Sequence, residues 1–261
     1  MIQFTKETDE RREAGALECW CLHGAVGLAS DWRAIAKGMA AEKIGTRAVD
    51  LWRFLECCPL PLPDFGKALN ADAAGRASRG TGRSLLGYSM GGRMALHALL
   101  EPGHPWSAAV IVSAHPGLEN PEERSARRIQ DTEWATQALT GDWQKFMTAW
   151  NAQPVLGNLA IRDPQATGTL IMRRREIARS FVDWSLGEQD SLWDRLPEIN
   201  VPVLWIVGEH DEKFRLLAER AVALIPGARL AIAPGAGHRV PWEAEAWFTQ
   251  TVSRFLKLGD I

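Results

Sequence analysis

The stretch Gly87-Tyr88-Ser89-Met90-Gly91 places a serine between two glycines, in the pattern Gly-x-Ser-x-Gly. An apolar run precedes it and a stretch with helical spacing follows it, so the serine stands on a predicted strand–turn–helix. The two glycines allow the tight turn that would expose the hydroxyl group. The pattern therefore predicts that Ser89 is reactive, as a nucleophile or as a base.

A serine hydroxyl reacts when a base removes its proton, and the base needs an acid to orient it. His238 lies in a glycine-rich loop after a late predicted strand. Three carboxylates lie in the loop after the preceding strand: Glu209, Asp211 and Glu212. We predict that Asp211 is the acid, because of its spacing from the end of that strand. The chain order serine, aspartate, histidine is the order found in α/β-hydrolases.

The turn after the first strongly apolar strand contains His23 and Gly24. In this fold, that turn supplies a backbone N–H near the reacting oxygen, and the residue after the serine supplies a second one. Ala25 and Met90 are therefore the predicted backbone donors. We interpret the side chain of His23 as structural rather than catalytic.

The elements that must position these residues alternate between strands and helices, which predicts an α/β fold with a mainly parallel sheet flanked by helices. The predicted strands are 17–24, 45–51, 83–89 and 107–115, with two more beginning near residues 201 and 228; the predicted helices include 31–42, 90–101 and a final one at 241–256. Between them, the chain from about residue 116 to 196 has helical patterns without a buried strand. The sequence thus predicts a core made of residues 1–115 and 197–261, with an all-helical lid, residues 116–196, over the sheet edge where ligands bind in such folds.

Composition argues against several other classes of protein. The net charge of −2, without a basic tail, does not favour a nucleic-acid binder. Apolar runs are too short to span a membrane, and the N-terminal segment lacks the apolar core of a signal peptide. The four cysteines lack the spacing of zinc ligands and are interpreted as reduced, mostly buried thiols: Cys19, Cys21, Cys57 and Cys58. We expect a cytoplasmic protein, either a monomer or a small homo-oligomer.

From about Leu17 to Leu256 the chain resembles the α/β-hydrolase superfamily and, within it, the 2-succinyl-6-hydroxy-2,4-cyclohexadiene-1-carboxylate synthases of menaquinone biosynthesis. Three of the stretches that carry the resemblance are common among hydrolases: LHGAVGLASDW, GYSMGGRMALHALL and SLWDRLPEINVPVLWIVGEHDEKF. Two are more specific because they lie in the variable insertion: SAHPGLENPEERSARRIQDTEWA and WNAQPVLGNL. The resemblance implies a lyase that eliminates pyruvate from 2-succinyl-5-enolpyruvyl-6-hydroxy-3-cyclohexene-1-carboxylate without a metal or organic cofactor.

The implied substrate is a small polycarboxylate, and three carboxylates call for fixed cations in the pocket. Arginine is preferred because its guanidinium pairs with a carboxylate through two parallel hydrogen bonds. The resemblance places substrate-binding arginines at Arg93 and Arg127. It implies a third in the second half of the lid, where Arg173, Arg174 and Arg175 are candidates and we favour Arg174.

The resemblance also implies that Tyr88 and Trp150 line the pocket, and that Ser89 is a base activated by His238 and Asp211. The alternative is a serine hydrolase of carboxylic esters or C–C bonds that uses the same triad. The arginines distinguish the two, because simple esters need no such cations. A non-catalytic binding module on the same fold is a third hypothesis, which an intact serine, aspartate and histidine set disfavours.

Overall fold

The computed structural model describes residues 17–76, 82–157 and 168–258. Its centre is a six-stranded sheet in which every neighbouring pair is parallel, in the order β2-β1-β3-β4-β5-β6. The strands are β1 (Leu17–Leu22), β2 (Ile44–Val49), β3 (Gly82–Tyr88), β4 (Ala108–Val112), β5 (Val203–Gly208) and β6 (Arg229–Ala233). Each overlaps its predicted range, which confirms the predicted α/β fold.

Alternate residues of β1 are buried on opposite faces of the sheet. Trp20 and Leu22 belong to one apolar cluster, whereas Cys19 and Cys21 belong to the cluster on the other face. Strands buried on both faces are near-continuous apolar runs, because helices cover the two sides of a parallel sheet. The sheet is therefore the rigid middle layer to which the loops of the site are attached.

The helices flank the sheet and also fill the segment between β4 and β5. The α-helices are α1 (Arg33–Ala41), α2 (Leu62–Gly75), α3 (Met90–Leu99), α4 (Pro121–Thr140), α5 (Trp143–Asn151), α6 (Arg174–Asp183), α7 (Glu212–Leu224), α8 (Val240–Glu243) and α9 (Glu245–Leu258). The predicted final helix is thus two helices, because Ala244 leaves the helical conformation with φ −132° and ψ 47°. No helix in the described ranges is long and apolar enough to cross a membrane.

Helices α4, α5 and α6 form what we call the helical insertion, residues 121–183. Two of its helices begin at side-chain caps: Asn120 accepts a hydrogen bond from Glu123 N at 3.0 Å, and Asp142 accepts one from Lys145 N at 2.8 Å. Helix α4 packs against α6, and aromatic rings fill the space between the three helices. The described part of the segment between β4 and β5 contains no strand, as the sequence pattern predicts.

The cysteines divide into two environments. Cys19 and Cys21 are buried in β1, as predicted, whereas Cys57 and Cys58 are exposed. The prediction that the four thiols are mostly buried is therefore wrong for the second pair. The reason is local: both residues lie in a proline-rich loop at the surface, where the sequence pattern has no strand or helix to bury them.

Candidate active site

Ser89 lies at the sharp turn between β3 and α3. Its φ of 52° is in the left-handed region, which residues with a side chain rarely adopt and which costs about 1–3 kcal/mol. Its N–H donates to the carbonyl oxygen of Val112 at 2.8 Å, which ties the turn to β4. The strained turn therefore holds the hydroxyl group at the carboxyl edge of the sheet.

Glycines around Ser89 leave room for this turn. A Cβ atom on Gly87 would collide with the carbonyl oxygen of Gly91, and a Cβ on Gly91 would collide with that of Leu22. A Cβ on Gly92 would lie 2.6 Å from the Cβ of Ala114. The backbone segments are in such close contact that the turn has no space for side chains at these three positions.

Ser89, His238 and Asp211 form one hydrogen-bonded chain. Ser89 Oγ donates to His238 Nε2 at 3.1 Å, and His238 Nδ1 donates to Asp211 Oδ2 at 2.7 Å. Both partners of the serine are buried, with 4% of His238 and 7% of Asp211 exposed. Because the aspartate holds the proton on Nδ1, the lone pair on Nε2 faces the serine. The arrangement can move a proton from Ser89 to His238.

The other two carboxylates of this loop are used elsewhere. Glu209 accepts a hydrogen bond from Gly235 N at 2.8 Å, and Glu212 is exposed at the first residue of α7. Of the three candidates, Asp211 is the one that the structure brings to His238.

The predicted backbone donors lie beside the serine. Ala25 and Met90 line the same cavity as Ser89. Met90 is the first residue of α3, and the N–H of a first helical residue has no acceptor within its own helix. Val26 follows with φ 51°, a second strained position in this turn. Ala25 and Met90 thus lie next to Ser89, and their role as donors to a developing negative charge stays a prediction.

His23 holds this turn in place. Its Nδ1 donates to the carbonyl oxygen of Gly24 at 2.9 Å, and its Nε2 accepts a hydrogen bond from Leu51 N at 3.3 Å. The ring is fully buried and lies 4.9 Å from that of Trp52. Both ring nitrogens are thus occupied by backbone groups, which fits the structural role predicted for His23.

A cavity of about 290 Å³ lies between the carboxyl edge of the sheet and the helical insertion. We call it the basic cavity, because Ser89 and His238 share its wall with three cationic side chains: Arg93, Arg127 and Lys213. Two of them, Arg93 and Arg127, are the arginines that the resemblance places at the substrate. Among all the described residues, those of the cavity included, no three His, Cys, Asp or Glu side chains cluster in a way that could hold a metal ion.

Arg93 is the buried cation of the cavity. Its Nη1 donates to Gln189 Oε1 at 2.8 Å, and its Nη2 donates to the carbonyl oxygen of Trp184 at 2.7 Å. Both acceptors are neutral, so they orient the guanidinium without cancelling its charge. Burial, reinforced by Arg127 and opposed by Asp131, lowers the pKa of Arg93 to about 9, which leaves it charged at neutral pH.

Arg127 differs because a carboxylate accompanies it. Its Nε donates to Asp131 Oδ2 at 2.9 Å, one turn further along α4. Asp131 is 2% exposed and also accepts a hydrogen bond from Ser185 Oγ at 2.7 Å. The position of Arg127 is therefore well fixed, while part of its charge is compensated.

Lys213 is a cavity residue that was not predicted. It is exposed at the rim, with its ammonium group 5.9 Å from the ring centre of Phe214. Its position two residues after Asp211 is the sequence signal that could have identified it, because a side chain so close to the acid lies near the carboxyl edge of the sheet.

His115 lies in the wall of the cavity, where burial and the neighbouring cations disfavour its protonated form. Burial first, and then the charges of Lys213 and Arg93, lower the pKa of its imidazole to about 4. Its Nδ1 accepts a hydrogen bond from Gly117 N at 3.0 Å. The ring is therefore neutral at pH 7 and donates only through Nε2.

Tyr88 and Trp150 both line the basic cavity. The ring of Tyr88 lies 5.6 Å from that of His238 and 4.9 Å from that of Trp242. Trp150 belongs to the helical insertion and packs 5.3 Å from the ring of Trp134. Each residue is thus both a packed aromatic and a cavity wall.

The structure does not bring Arg174 to the cavity, contrary to our expectation. Its guanidinium donates to the carbonyl oxygen of Ala138 at 3.0 and 2.8 Å and to that of Gly141 at 2.9 Å. These carbonyls lie at the end of α4, where backbone acceptors have no donor within the helix. Arg174 is therefore occupied as a helix cap.

The two neighbouring arginines also lie elsewhere. Arg173 pairs with Asp50 at 2.8 Å and with Glu56, which joins the insertion to the loop after β2. Arg175 lines a different groove, between α4 and α6. Within the described residues, Lys213 is the third cation that the cavity contains besides Arg93 and Arg127.

Comparison with known proteins identifies a family and several similar proteins that share one name. The alpha/beta hydrolase family matches residues 21–251. A Bacillus subtilis (strain 168) protein, provisionally named 2-succinyl-6-hydroxy-2,4-cyclohexadiene-1-carboxylate synthase, is 37% identical over 66% of this chain and 65% of its own length. Proteins bearing that name from Yersinia pestis (strain Pestoides F) and Salmonella agona (strain SL483) are similar over more of the chain. The first is 30% identical over 82% of this chain and 79% of its own length, and the second 27% identical over 94% and 96%.

Solved structures of this fold are also similar. A structure described as MenH from S. aureus superimposes with a TM-score of 0.82 at 23% identity and covers 93% of this chain and 94% of its own. The carboxylesterase CesB from Bacillus subtilis has a TM-score of 0.66 at 23% identity, with 94% of this chain and 85% of its own covered. At these identities the superpositions establish the fold.

Proposed function

Because the chain belongs to the alpha/beta hydrolase family and, within it, to the 2-succinyl-6-hydroxy-2,4-cyclohexadiene-1-carboxylate synthases, we propose that it forms this cyclohexadiene by eliminating pyruvate. The substrate is 2-succinyl-5-enolpyruvyl-6-hydroxy-3-cyclohexene-1-carboxylate. One observation carries the proposal: Ser89 and His238 line a cavity whose wall also contains two arginines and a lysine. Such a cavity suits a polycarboxylate and not a simple ester.

In this proposal each of the three cations of the cavity binds a different carboxylate of the substrate. Arg93 presents a charge that its neutral partners leave uncompensated, so it takes a substrate carboxylate by a desolvated, charge-assisted pair. Arg127, partly compensated by Asp131, positions a second carboxylate. Lys213 at the rim attracts the third. Three separated cations thus fix the ring in one orientation over Ser89.

Ser89 acts as a base in this mechanism. His238 takes the proton from Ser89 Oγ, and the buried Asp211 stabilises the imidazolium that results. The serine oxygen then removes the ring proton next to the succinyl carbonyl. The N–H groups of Ala25 and Met90 stabilise the enolate that develops on the carbonyl oxygen.

The elimination follows from this enolate. The electron pair from the broken C–H bond forms a ring double bond, the existing ring double bond shifts by one position, and the ring C–O bond to the enolpyruvyl group breaks. That group leaves as the enolate of pyruvate and takes up a proton, for which protonated His238 is the source. Ser89 forms no covalent bond to the substrate, and the ring leaves as a conjugated diene.

In this proposal residues 116–196, which include the helical insertion, form a lid over a core made of residues 1–115 and 197–261. Its helices supply Arg127 and Trp150 to the cavity wall. A closed lid excludes water from the enolate, which strengthens the hydrogen bonds that stabilise it.

A serine hydrolase of esters or C–C bonds is the second candidate. The hydrogen bond of 3.1 Å from Ser89 Oγ to His238 Nε2 is also the geometry that an acyl-forming nucleophile needs. The difference lies in the cavity, because a neutral ester gains nothing from Arg93 and Arg127.

The deciding experiment offers the purified protein two substrates. With the enolpyruvyl-bearing cyclohexene, we expect stoichiometric release of pyruvate, followed by a lactate dehydrogenase coupled assay, and appearance of diene absorbance. With p-nitrophenyl butyrate, we expect turnover at least 1000-fold slower by kcat/KM, roughly the factor that matched transition-state binding supplies. Brisk ester cleavage without pyruvate release would establish the hydrolase instead.

A further inference from the structure

Ser113, the residue that follows β4, has a conformation that needs an explanation. Its φ is 46°, in the left-handed region that glycine, asparagine and aspartate favour. Its side chain is fully buried. Strained backbone conformations of this kind persist where the surrounding structure enforces them, and they cluster at functional sites.

The hydroxyl group of Ser113 is a second anomaly. Its N–H donates to the carbonyl oxygen of Ile206 at 2.9 Å, so the backbone is satisfied. Its Oγ is buried and has no hydrogen-bond partner among the residues that the structure describes. Buried polar groups are almost always paired, because leaving them unpaired costs free energy. An unpaired hydroxyl in the wall of a cavity is therefore available to a ligand that binds there.

The location of Ser113 makes that ligand an occupant of the basic cavity. Ser113 lines the cavity together with Ser89 and Arg93. Tyr88 pairs with Val112 in the β3–β4 register, so the residues that follow them, Ser89 and Ser113, leave the sheet side by side. Ser113 thus lies in the wall of the cavity, next to the residue that carries the reactive hydroxyl.

The chemistry around Ser113 selects an acceptor on the ligand. Arg93 and Lys213 can only donate hydrogen bonds, and the Nδ1 atom of His115 is already used by Gly117. A ligand that suits this set is rich in oxygen acceptors, and a serine hydroxyl facing it donates.

We propose that Ser113 Oγ is a further substrate-binding group, which donates a hydrogen bond to a carboxylate or acyl oxygen of the bound substrate. The identity of that substrate rests on the proposed function, but the hydrogen bond itself requires only a ligand with such oxygens. Ser113 would then help to hold the ring in the orientation in which Ser89 reaches its proton.

Ser253 offers a matched control. It is also a buried serine, 2% exposed, with an unpaired hydroxyl among the described residues. It lies inside α9 and is not part of the cavity wall. Ser253→Ala therefore removes a hydroxyl of the same kind without touching the cavity.

The experiment measures binding of 2-succinylbenzoate, a non-reacting diacid that has a ring carboxylate and a succinyl arm, by titration calorimetry. Ser113→Ala and Ser113→Gly are compared with the wild type and with Ser253→Ala. We expect both Ser113 variants to bind about tenfold more weakly, as for loss of one hydrogen bond to a charged or polar ligand group. Ser253→Ala should bind as the wild type does.

The glycine variant separates binding from strain, since glycine adopts a positive φ freely. It should therefore unfold at a higher temperature than Ser113→Ala while binding as weakly. Wild-type affinity in either Ser113 variant, or absence of binding by the wild type, would overturn the inference. A wild type that binds the probe but releases no pyruvate refutes only the proposed reaction, because this measurement requires no turnover.

Discussion

The carboxyl edge of the sheet and the helical insertion both line the basic cavity, but they fix their side chains in different ways. At the sheet edge, the backbone decides. Ser89 is held by a left-handed turn, and contacts between neighbouring main chains exclude a Cβ atom at Gly87 and Gly91. In the insertion, the position of each arginine side chain depends on which hydrogen-bond acceptor it binds. Arg127 finds Asp131 beside the cavity, whereas Arg174 finds the carbonyl of Ala138 at a helix end.

Because of this difference, the sequence predicts the location of functional side chains more reliably at the sheet edge than on the helical insertion. The residue after a parallel strand has one location, the sheet edge, whatever its neighbours are. The long side chain of an arginine or lysine on a helix can reach several hydrogen-bond acceptors. A carbonyl group at a helix terminus is one of them and binds the cation well. The following experiments can break or sharpen this contrast, beginning with the largest effect.

Substitution of Ser89 by alanine should reduce kcat for pyruvate release by about 1000-fold, as for loss of a positioned base. Because only one hydroxyl is removed, affinity for 2-succinylbenzoate should be unchanged. Steady-state kinetics and calorimetry measure the two effects. A variant that keeps a tenth of the activity would show that the sheet edge does not supply the base.

Substitution of Arg93 by alanine should lower kcat/KM for the polycarboxylate by about 100-fold, since a buried charge pair is lost. Turnover of p-nitrophenyl butyrate, if measurable, should change little. Arg174→Ala is the control, because its guanidinium caps α4 outside the cavity. An equal loss of kcat/KM in the two variants would indicate that Arg174 also binds the substrate.

Two adjacent arginines of α4 allow a finer test. Arg127→Ala should raise KM about tenfold, because it removes a cation of the cavity whose charge is partly compensated. Arg128 pairs with Glu188 outside the cavity, so Arg128→Ala should stay within about twofold of wild-type kinetics. If the two variants have the same KM, position on the helix does not decide function in the insertion.

The smallest effect concerns the pH dependence of stability. The pKa of His115 in the folded protein is lowered to about 4, while the unfolded chain takes up the proton near pH 6.5, so stability falls as pH falls between these values. His115→Asn keeps an acceptor for Gly117 N and removes this titration. Between pH 7 and pH 5 the variant should lose less free energy of unfolding than the wild type, by on the order of 1 kcal/mol. Urea unfolding at both pH values measures it, and identical losses would contradict the shift.

Much of the fold was predictable because periodicity and chain order are local signals. The six strands overlap their predicted ranges, and the three residues of the predicted triad meet in space. The Gly-x-Ser-x-Gly stretch predicted the turn because steric exclusion acts between residues close in sequence. The interruption at Ala244 in the final helix is a change of backbone conformation for which the apolar pattern contains no signal.

The remainder depends on contacts between residues far apart in sequence. The sequence does not distinguish Arg174 from the two arginines beside it. Its hydrogen-bond acceptor, the carbonyl oxygen of Ala138, lies 36 residues away in the chain. The sequence places Lys213 two residues after the acid, but the direction of its side chain depends on tertiary structure. The unpaired hydroxyl of Ser113 is visible only when every possible partner around it is known.

The two acceptors of Arg93 differ in how they can change over evolution. One is the main-chain oxygen of residue 184, which every amino acid provides; the other is the side chain of Gln189. Gln189 also donates from Nε2 to the carbonyl oxygen of Pro116 at 2.9 Å, so its amide must both accept and donate. Any residue at position 184 still offers a main-chain oxygen, whereas position 189 needs a side chain that both accepts and donates. Anyone who redesigns the pocket for a less anionic substrate would do best to change residue 189 first.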